Sequence, residues 1–303
     1  MELTHLSDRT TEYAGPVGTH DINGIMYPEY VTEHSLNLVR DFEVREDDVW
    51  IVAFPKAGTH WIGEIAKLVL VDGHKEKIDR SQQSQPISFG TYLAEESLCK
   101  RALAWASPRL LNTHLQEHLI PTQLHQGKGK MIYVVRNPKD SAVSMYYFLK
   151  PRNYQDLSDW DRFVELYGTE KMRWGSWYSH VLGYWEKRND FKNMLFLKYE
   201  DVKADTRRAI QQIAKFLNHP LSDDALQRVL ENVSLREMKK TYHVAGESNY
   251  GKQKVADKVG GAHLIRKGTI GDWKNKFTVA QSEVFDKIYQ EKMAGSGLNL
   301  QFQ

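Results

Sequence analysis

Three times along this chain a short apolar run gives way to a turn and then to a stretch of helical periodicity. Val49 to Phe54 is followed by Pro55-Lys-Ala-Gly-Thr-His60, and then by apolar positions at Trp61, Ile62, Ile65, Ala66, Leu68 and Val69. Apolar residues at three- and four-residue intervals share one helix face, so the pattern predicts strand, turn, helix. Met131 to Val135 repeats it, ending in Arg136-Asn-Pro138 with Asp140 as the expected N-cap of the next helix. Met194 to Tyr199 is the third run, before a helix from about Asp205 to Leu217 that His219-Pro220 stops. Strands apolar throughout and alternating with helices predict an α/β fold: a single domain with a parallel β-sheet flanked by helices. In such sheets ligands bind beyond the carboxyl ends of the strands, where Lys56 and Arg136 would both sit.

Elsewhere the pattern changes. Trp160 to Arg188 reads as helical, with Trp174, Trp177, Tyr178, Val181 and Trp185 on one stripe that is expected to pack in the core. Gly246 to Gly261 is rich in Gly and Lys and has no periodicity, which predicts a long loop acting as a lid. No linker, repeat or low-complexity tract interrupts the 303 residues, so one domain is expected over 1–303, with its core at about 24–295.

Composition narrows the function classes. Forty-one basic and 39 acidic residues leave a net charge of +2, too balanced for wholesale nucleic-acid binding. Any anion site must be gathered by the fold from a few cations. Cys99 is the single cysteine, which rules out an intrachain disulfide and suits a reducing compartment. Met1 to Thr11 lacks the apolar core of a signal peptide, and the longest apolar stretch, Trp61 to Val71, is broken by Glu64 and Lys67. A cytoplasmic chain without membrane contact is the expectation.

Three segments suggest where the cations gather. Pro55 to His60 precedes a helix whose N-terminal N–H groups and dipole favour an anion; Gly58 permits close backbone approach and Lys56 adds a point charge. By itself this is a weak signal, since a Lys and a Gly occur in many turns. The loop lacks the Gly-Lys-Ser/Thr of a Walker A motif, and neither Met131–Val135 nor Met194–Tyr199 ends in an Asp placed to hold magnesium. A nucleotide kinase is therefore disfavoured, and no metal is expected. Arg136, with Ser144 two turns on, can face the same anion, as can Arg266-Lys267-Gly268; each read alone is equally a solvated surface charge.

Together the segments resemble something specific. Pro55-Lys-Ala-Gly-Thr-His-Trp61, Arg136-Asn-Pro-Lys-Asp140 with Ser144, and Arg266-Lys-Gly-Thr-Ile-Gly-Asp-Trp-Lys-Asn275 are similar, in residues, order and spacing, to the cytosolic sulfotransferase family. The resemblance runs from about Gly24 to the end of the chain. It implies an enzyme that moves a sulfonyl group from 3′-phosphoadenosine-5′-phosphosulfate (PAPS) to the hydroxyl or amine of a small apolar acceptor such as a phenol or steroid, leaving PAP. Lys56, Ala57, Gly58, Thr59, His60 and Trp61 would hold the 5′-phosphosulfate, with Trp61 against the adenine. Arg136, Ser144, Arg266, Lys267 and Gly268 would hold the 3′-phosphate. Tyr199, Val233, Ser234, Leu235, Met238 and Leu264 complete the implied nucleotide site.

The resemblance also assigns chemistry. His114, in Asn112-Thr-His-Leu115, matches the family's general base, although as one of twelve histidines it has nothing else to single it out. Lys56 would stabilise the leaving phosphate oxygen, and Ser144 would hold Lys56 aside until acceptor binds. Phe148 matches a pocket-lining Phe; Phe89, Tyr92, Tyr147, Asn112 and His114 are expected around the acceptor, under lids at Ser88–Leu98 and Gly246–Gly261. Lys274, Thr278, Val279 and Glu283 match a short dimerisation motif and imply a homodimer, Lys274 meeting the mate's Glu283 around Val279. Three departures stand out: His60 where Thr or Asn is commoner, Asn112 where many members have Lys, and Val233 and Leu235 beside the adenine. They keep a second reading open, a PAPS- or PAP-binding protein with little catalysis.

Overall fold

The computed structural model describes residues 18–80, 87, 98–150, 155–249 and 265–303. Near the N-terminus β1 (Thr19–Ile22) and β2 (Ile25–Pro28) form an antiparallel hairpin, which the apolar pattern did not announce. The parallel sheet consists of β3 (Val49–Val52), β4 (Leu110–Thr113), β5 (Lys130–Val135) and β6 (Met194–Lys198), in the order β4-β3-β5-β6. Ile51 lies opposite Asn112 on one side and Ile132 on the other, so the three strands end nearly level. That shared end carries the candidate site.

Both sheet faces are covered, which is why β3 and β5 from Met131 onwards are apolar without alternation. Val49, Ile51 and Ala53 project into one core with α2 (Thr59–Val69), α10 (Thr206–Phe216) and α11 (Asp223–Asn232). Trp50, Val52 and Phe54 project into a larger, aromatic core. There they meet α1 (Glu33–Arg40), α5 (Pro138–Leu149), α7 (Trp160–Leu166), α8 (Trp177–Glu186) and α13 (Val279–Met293). The shorter α3 (Leu98–Leu103), α4 (Thr122–His125), α6 (Gln155–Ser158) and α9 (Tyr199–Ala204), and the longer α12 (Leu235–Asn249), complete the helices. At the amino ends of β3 and β4, Asp48 and Arg109 form a fully buried bidentate pair. Among the described residues no helix is long and apolar enough to cross a membrane.

Several boundaries differ from the sequence reading. The N-cap of α5 is Asn137, not Asp140: the Asn137 side chain accepts from the Asp140 N–H at 2.8 Å, with Pro138 as the first helical residue. Asp140 thereby keeps its carboxylate for another task. The stretch Trp160 to Arg188 is two helices rather than one, because Trp174 and Gly175 have φ of +75° and +74° and cannot be helical. Tyr199 begins α9 instead of ending β6, and the expected loop from Gly246 is helical as far as Asn249. Phe89, Tyr92, Leu264 and the remainder of both expected lids lie outside the described residues.

Candidate nucleotide and acceptor site

The turn after β3 brings Lys56 and Gly58 to the carboxyl edge of the sheet in left-handed backbone, φ +71° and +109°. Gly58 is the N-cap of α2 and, having no side chain, leaves the helix start without a side-chain cap of its own. A Cβ on Gly58 would stand 2.8 Å from Cδ2 of Tyr199, so only glycine fits between loop and ring. The Lys56 ammonium lies 4.2 Å over the Phe148 ring, one turn after Ser144 on α5.

Arg136 follows β5 directly and ties the three separated motifs together. Its Nη1 donates to the Lys56 carbonyl at 3.4 Å and its Nη2 to the Thr269 carbonyl at 3.0 Å, while its guanidinium covers Tyr199 at 4.5 Å. The turn after Gly268 is held by Asp140, whose carboxylate accepts from the Gly271 and Trp273 N–H groups at 2.8 and 3.0 Å. Behind it, the wholly buried Glu200 accepts from the Asn137 N–H and Nδ2 at 2.9 and 3.0 Å. Burial raises the Glu200 carboxyl, against the pull of those hydrogen bonds. Arg266 and Lys267 both pair with Asp272, at 2.6 and 2.7 Å. Burial opposes ionisation of Asp272, but hydrogen bonds from Lys267, Asn275 and Arg266 prevail and hold it at about 2. These two cations are thus aimed by a carboxylate rather than loosely solvated.

On the opposite side of the loop, Trp61 donates from Nε1 to the Val233 carbonyl at 3.1 Å and meets Tyr199 edge-on at 5.4 Å. Val233 and Met238 are buried; Leu235 is exposed and lies, with the Tyr199 hydroxyl, against Gly268. Arg136, Trp61 and Tyr199 are thus joined by direct contacts to the Lys56 loop and to the turn that carries Arg266 and Lys267, so cations and aromatic rings cluster at one end of the sheet.

Three imidazoles come together, His114 lying within electrostatic reach of both His60 and His180. His114 follows β4, and its Nδ1 meets the Ala53 carbonyl at 2.7 Å. A carbonyl only accepts, so Nδ1 carries the proton and Nε2 keeps its lone pair. Burial lowers His114 to about 4, the Ala53 hydrogen bond opposing and the Lys56 charge assisting. His60, in the first turn of α2, is held at about 3 by burial and by the charges of Lys56, His114 and Lys67. Its ring meets Tyr242 edge-on at 5.2 Å, and the Tyr242 hydroxyl donates to its carbonyl at 3.3 Å. His180 of α8 is wholly enclosed, contacts the Tyr133 hydroxyl at 3.0 Å, and is likewise lowered to about 3 by burial.

Asn112 is buried on β4, opposite Ile51. Tyr147 lies under the Arg266 guanidinium at 5.1 Å, whereas Phe148 lies under the Lys56 ammonium. Thr278 caps α13 with a capping box to Gln281, leaving Val279 76% exposed beside Glu283; the Lys274 ammonium contacts Gln303 of its own chain. Sequence reasoning missed Asp140 as the clamp on the Gly271 turn, Asp272 as the shared counter-ion, Glu200, and Trp174, whose ring touches His114. For the first two the signal was present: an acid within each basic motif.

Residues 46–297 match the family model described as Sulfotransferase domain. The chain is similar to Sulfotransferase 1C2 of Homo sapiens, 34% identical over 96% of this chain and 97% of that protein. It is also similar to Sulfotransferase 2A1 of Homo sapiens, 39% identical over 89% of this chain and 93% of that one. Among solved structures, a mouse sulfotransferase complexed with PAP superposes with a TM-score of 0.76 at 32% identity, covering 92% of this chain and 96% of that one.

Proposed function

This chain belongs to the sulfotransferase family, and from that premise we propose that it moves the sulfonyl group of PAPS to the hydroxyl or amine of a small apolar acceptor in the cytosol, a phenol or steroid being the favoured class. The observation that carries the nucleotide assignment is the Arg136 guanidinium, which reaches the Lys56 loop and the Thr269 turn at once. One side chain thereby gathers the three basic motifs where two phosphate groups need them.

His114 Nε2 takes the proton of the acceptor hydroxyl as the oxygen–sulfur bond forms. The bond from sulfur to the 5′-phosphate oxygen breaks, and Lys56 neutralises the charge arriving on that oxygen. Before acceptor binds, the ammonium rests over Phe148, on the helix face that carries Ser144. Arg136, Arg266 and Lys267 hold the 3′-phosphate, and Trp61 and Tyr199 flank the adenine. Products are the sulfated acceptor, PAP and a proton.

The test is calorimetric titration with PAP, followed by labelled PAPS with a panel of phenols, sterols and amines in the presence of a chelator. We expect PAP to bind and at least one acceptor class to be sulfated. Binding without acceptor-dependent transfer would favour the non-catalytic reading, and no binding would end both. Gly58→Ala, which forces a Cβ into Tyr199, is expected to weaken PAP by at least about tenfold, measured by the same titration. Retained affinity would remove Gly58 from the phosphate loop.

We also propose a homodimer through Lys274, Thr278, Val279 and Glu283, supported by the exposure of Val279 at the start of α13. Light scattering at micromolar concentration is expected to return twice the chain mass, and Val279→Asp to halve it. A monomer in both samples would refute the interface.

A further inference from the structure

Trp174 holds a backbone conformation, φ +75°, that a bulky side chain rarely adopts. Such strain persists only where the surroundings over-determine it. Here they do so from two directions. The Trp174 N–H donates to the Met26 carbonyl of β2 at 2.7 Å, and its own carbonyl accepts from Gln116 Nε2 at 2.9 Å. The indole meets the Tyr27 ring edge-to-face at 5.8 Å, and the Tyr27 hydroxyl donates to Gln116 Oε1, which closes the circuit. Gly175 completes the turn: a Cβ there would come within 2.9 Å of Glu170 Oε2 and 3.1 Å of Ile25 Cγ2.

The strain places one object. The indole, nearly inaccessible to solvent, stands 5.5 Å from the His114 imidazole at an interplanar angle of 74°. The hydrogen bond from Nδ1 to Ala53 fixes one point of that ring, about which the ring can still rock. A second, rigid contact fixes the plane and hence the direction of the Nε2 lone pair. We infer that Trp174 is a positioning residue for the His114 base, and that the β1–β2 hairpin with Gln116 is the brace holding it in place. This rests on the proposal that His114 is the base.

The charged and titratable groups facing His114 are Lys56 from the phosphate loop, His60 from α2 and His180 from α8. Behind Trp174 stands the carboxylate of Glu170, beside Tyr27 and Gly175. The indole therefore contributes exclusion of water, not charge. Removing it should let the imidazole rise from about 4 towards its ordinary 6.5. A base must be neutral to work, so activity would then fall as pH drops below about 6, where the unaltered protein stays flat.

The experiment compares the unaltered protein with Trp174→Ala, Trp174→Phe and Gln116→Leu. It reads kcat and KM from pH 5 to 8.5, PAP affinity by calorimetry, and the His114 titration by NMR of labelled histidine. Trp174→Ala is expected to lower kcat at pH 7.5 by about 10- to 100-fold, keep PAP affinity within about twofold, and raise the His114 midpoint by about one to two pH units, part of the gap between about 4 and 6.5. Trp174→Phe should restore most of the rate. Gln116→Leu, which loosens only the brace, should shift the midpoint in the same direction by less. An unshifted midpoint in both Trp174→Ala and Gln116→Leu overturns the inference, as does a loss of kcat that parallels loss of PAP affinity in every variant. Should the unaltered protein sulfate nothing, the role of His114 fails, and the NMR midpoint still decides whether Trp174 governs the ring.

Discussion

Replacing His114 with alanine is expected to lower kcat by about 10²- to 10⁴-fold while leaving PAP affinity within about twofold. On the transition-state scale that loss is about 3–5 kcal/mol. The asymmetry follows from where the side chain sits. His114 emerges beyond β4, with Nδ1 committed to the Ala53 carbonyl. The groups assigned to the nucleotide come instead from the turns after β3 and β5, from α5 and from the Arg266–Gly268 turn. Removing the imidazole takes away the proton acceptor and nothing that grips a phosphate. Lys56→Met is the contrasting variant, because the ammonium serves both binding and the leaving oxygen; it should damage PAP affinity and kcat together. Stopped-time assays at saturating PAPS, paired with PAP calorimetry, separate the two patterns. Full turnover in the alanine variant would sink the assignment of the base, and a collapse of PAP affinity there would place His114 among the nucleotide ligands instead.

How much of this was legible beforehand depends on the range of the interaction involved. The sheet could be read because strands buried on both faces must be apolar throughout, and Val49–Val52 and Met131–Val135 are. The turn after β3 was visible because its constraints are local: Gly58 takes a left-handed backbone, φ +109°, that glycine adopts most readily, and a helix follows at once. The N-cap of α5 was misjudged because Asn137 and Asp140 can both cap, and only the Gly271 turn, 131 residues after Asp140, decides that the carboxylate is needed elsewhere. The break at Trp174 was invisible for a similar reason. Aromatic spacing from Trp174 to Trp185 satisfies a helix, and what prevents it is a hairpin almost 150 residues earlier. The hairpin itself, four residues a side, is too short for alternation to register. Nothing in the amino-acid order separates His180 from the other eleven histidines; its burial under Tyr133 and Phe54 is purely tertiary.

The same imidazoles are expected to make the protein without nucleotide sensitive to acid. His60, His114 and His180 are held at about 3, 4 and 3 in the folded chain, against 6.5 when unfolded. Between pH 6.5 and 4 the unfolded chain therefore binds protons that the folded chain refuses, so stability present above pH 6.5 is lost as pH falls towards 4. Each such group contributes about 1.4 kcal/mol per pH unit. His180 is wholly enclosed and contributes its full share, whereas His60 and His114 are only half-buried, so water softens theirs. The slope should lie between about 1.4 and about 4 kcal/mol per pH unit. Glu200 opposes it, since burial raises its carboxyl and the folded chain then keeps a proton that the unfolded chain releases. Asp272, held at about 2, adds its own loss only below the ordinary carboxylate range. Over two pH units that removes about 3–8 kcal/mol, enough to bring a fold at the lower end of the typical range of about 5–15 kcal/mol close to its midpoint. Urea midpoints at pH 7.5, 6.5, 5.5 and 5 are expected to decline steeply over the last three. His180→Gln, whose amide can still meet the Tyr133 hydroxyl, should start lower at pH 7.5 and decline less steeply. Midpoints that stay level from pH 7.5 to 5, or an undiminished slope in the glutamine variant, would mean that these rings take up protons in the folded chain as readily as in the unfolded one.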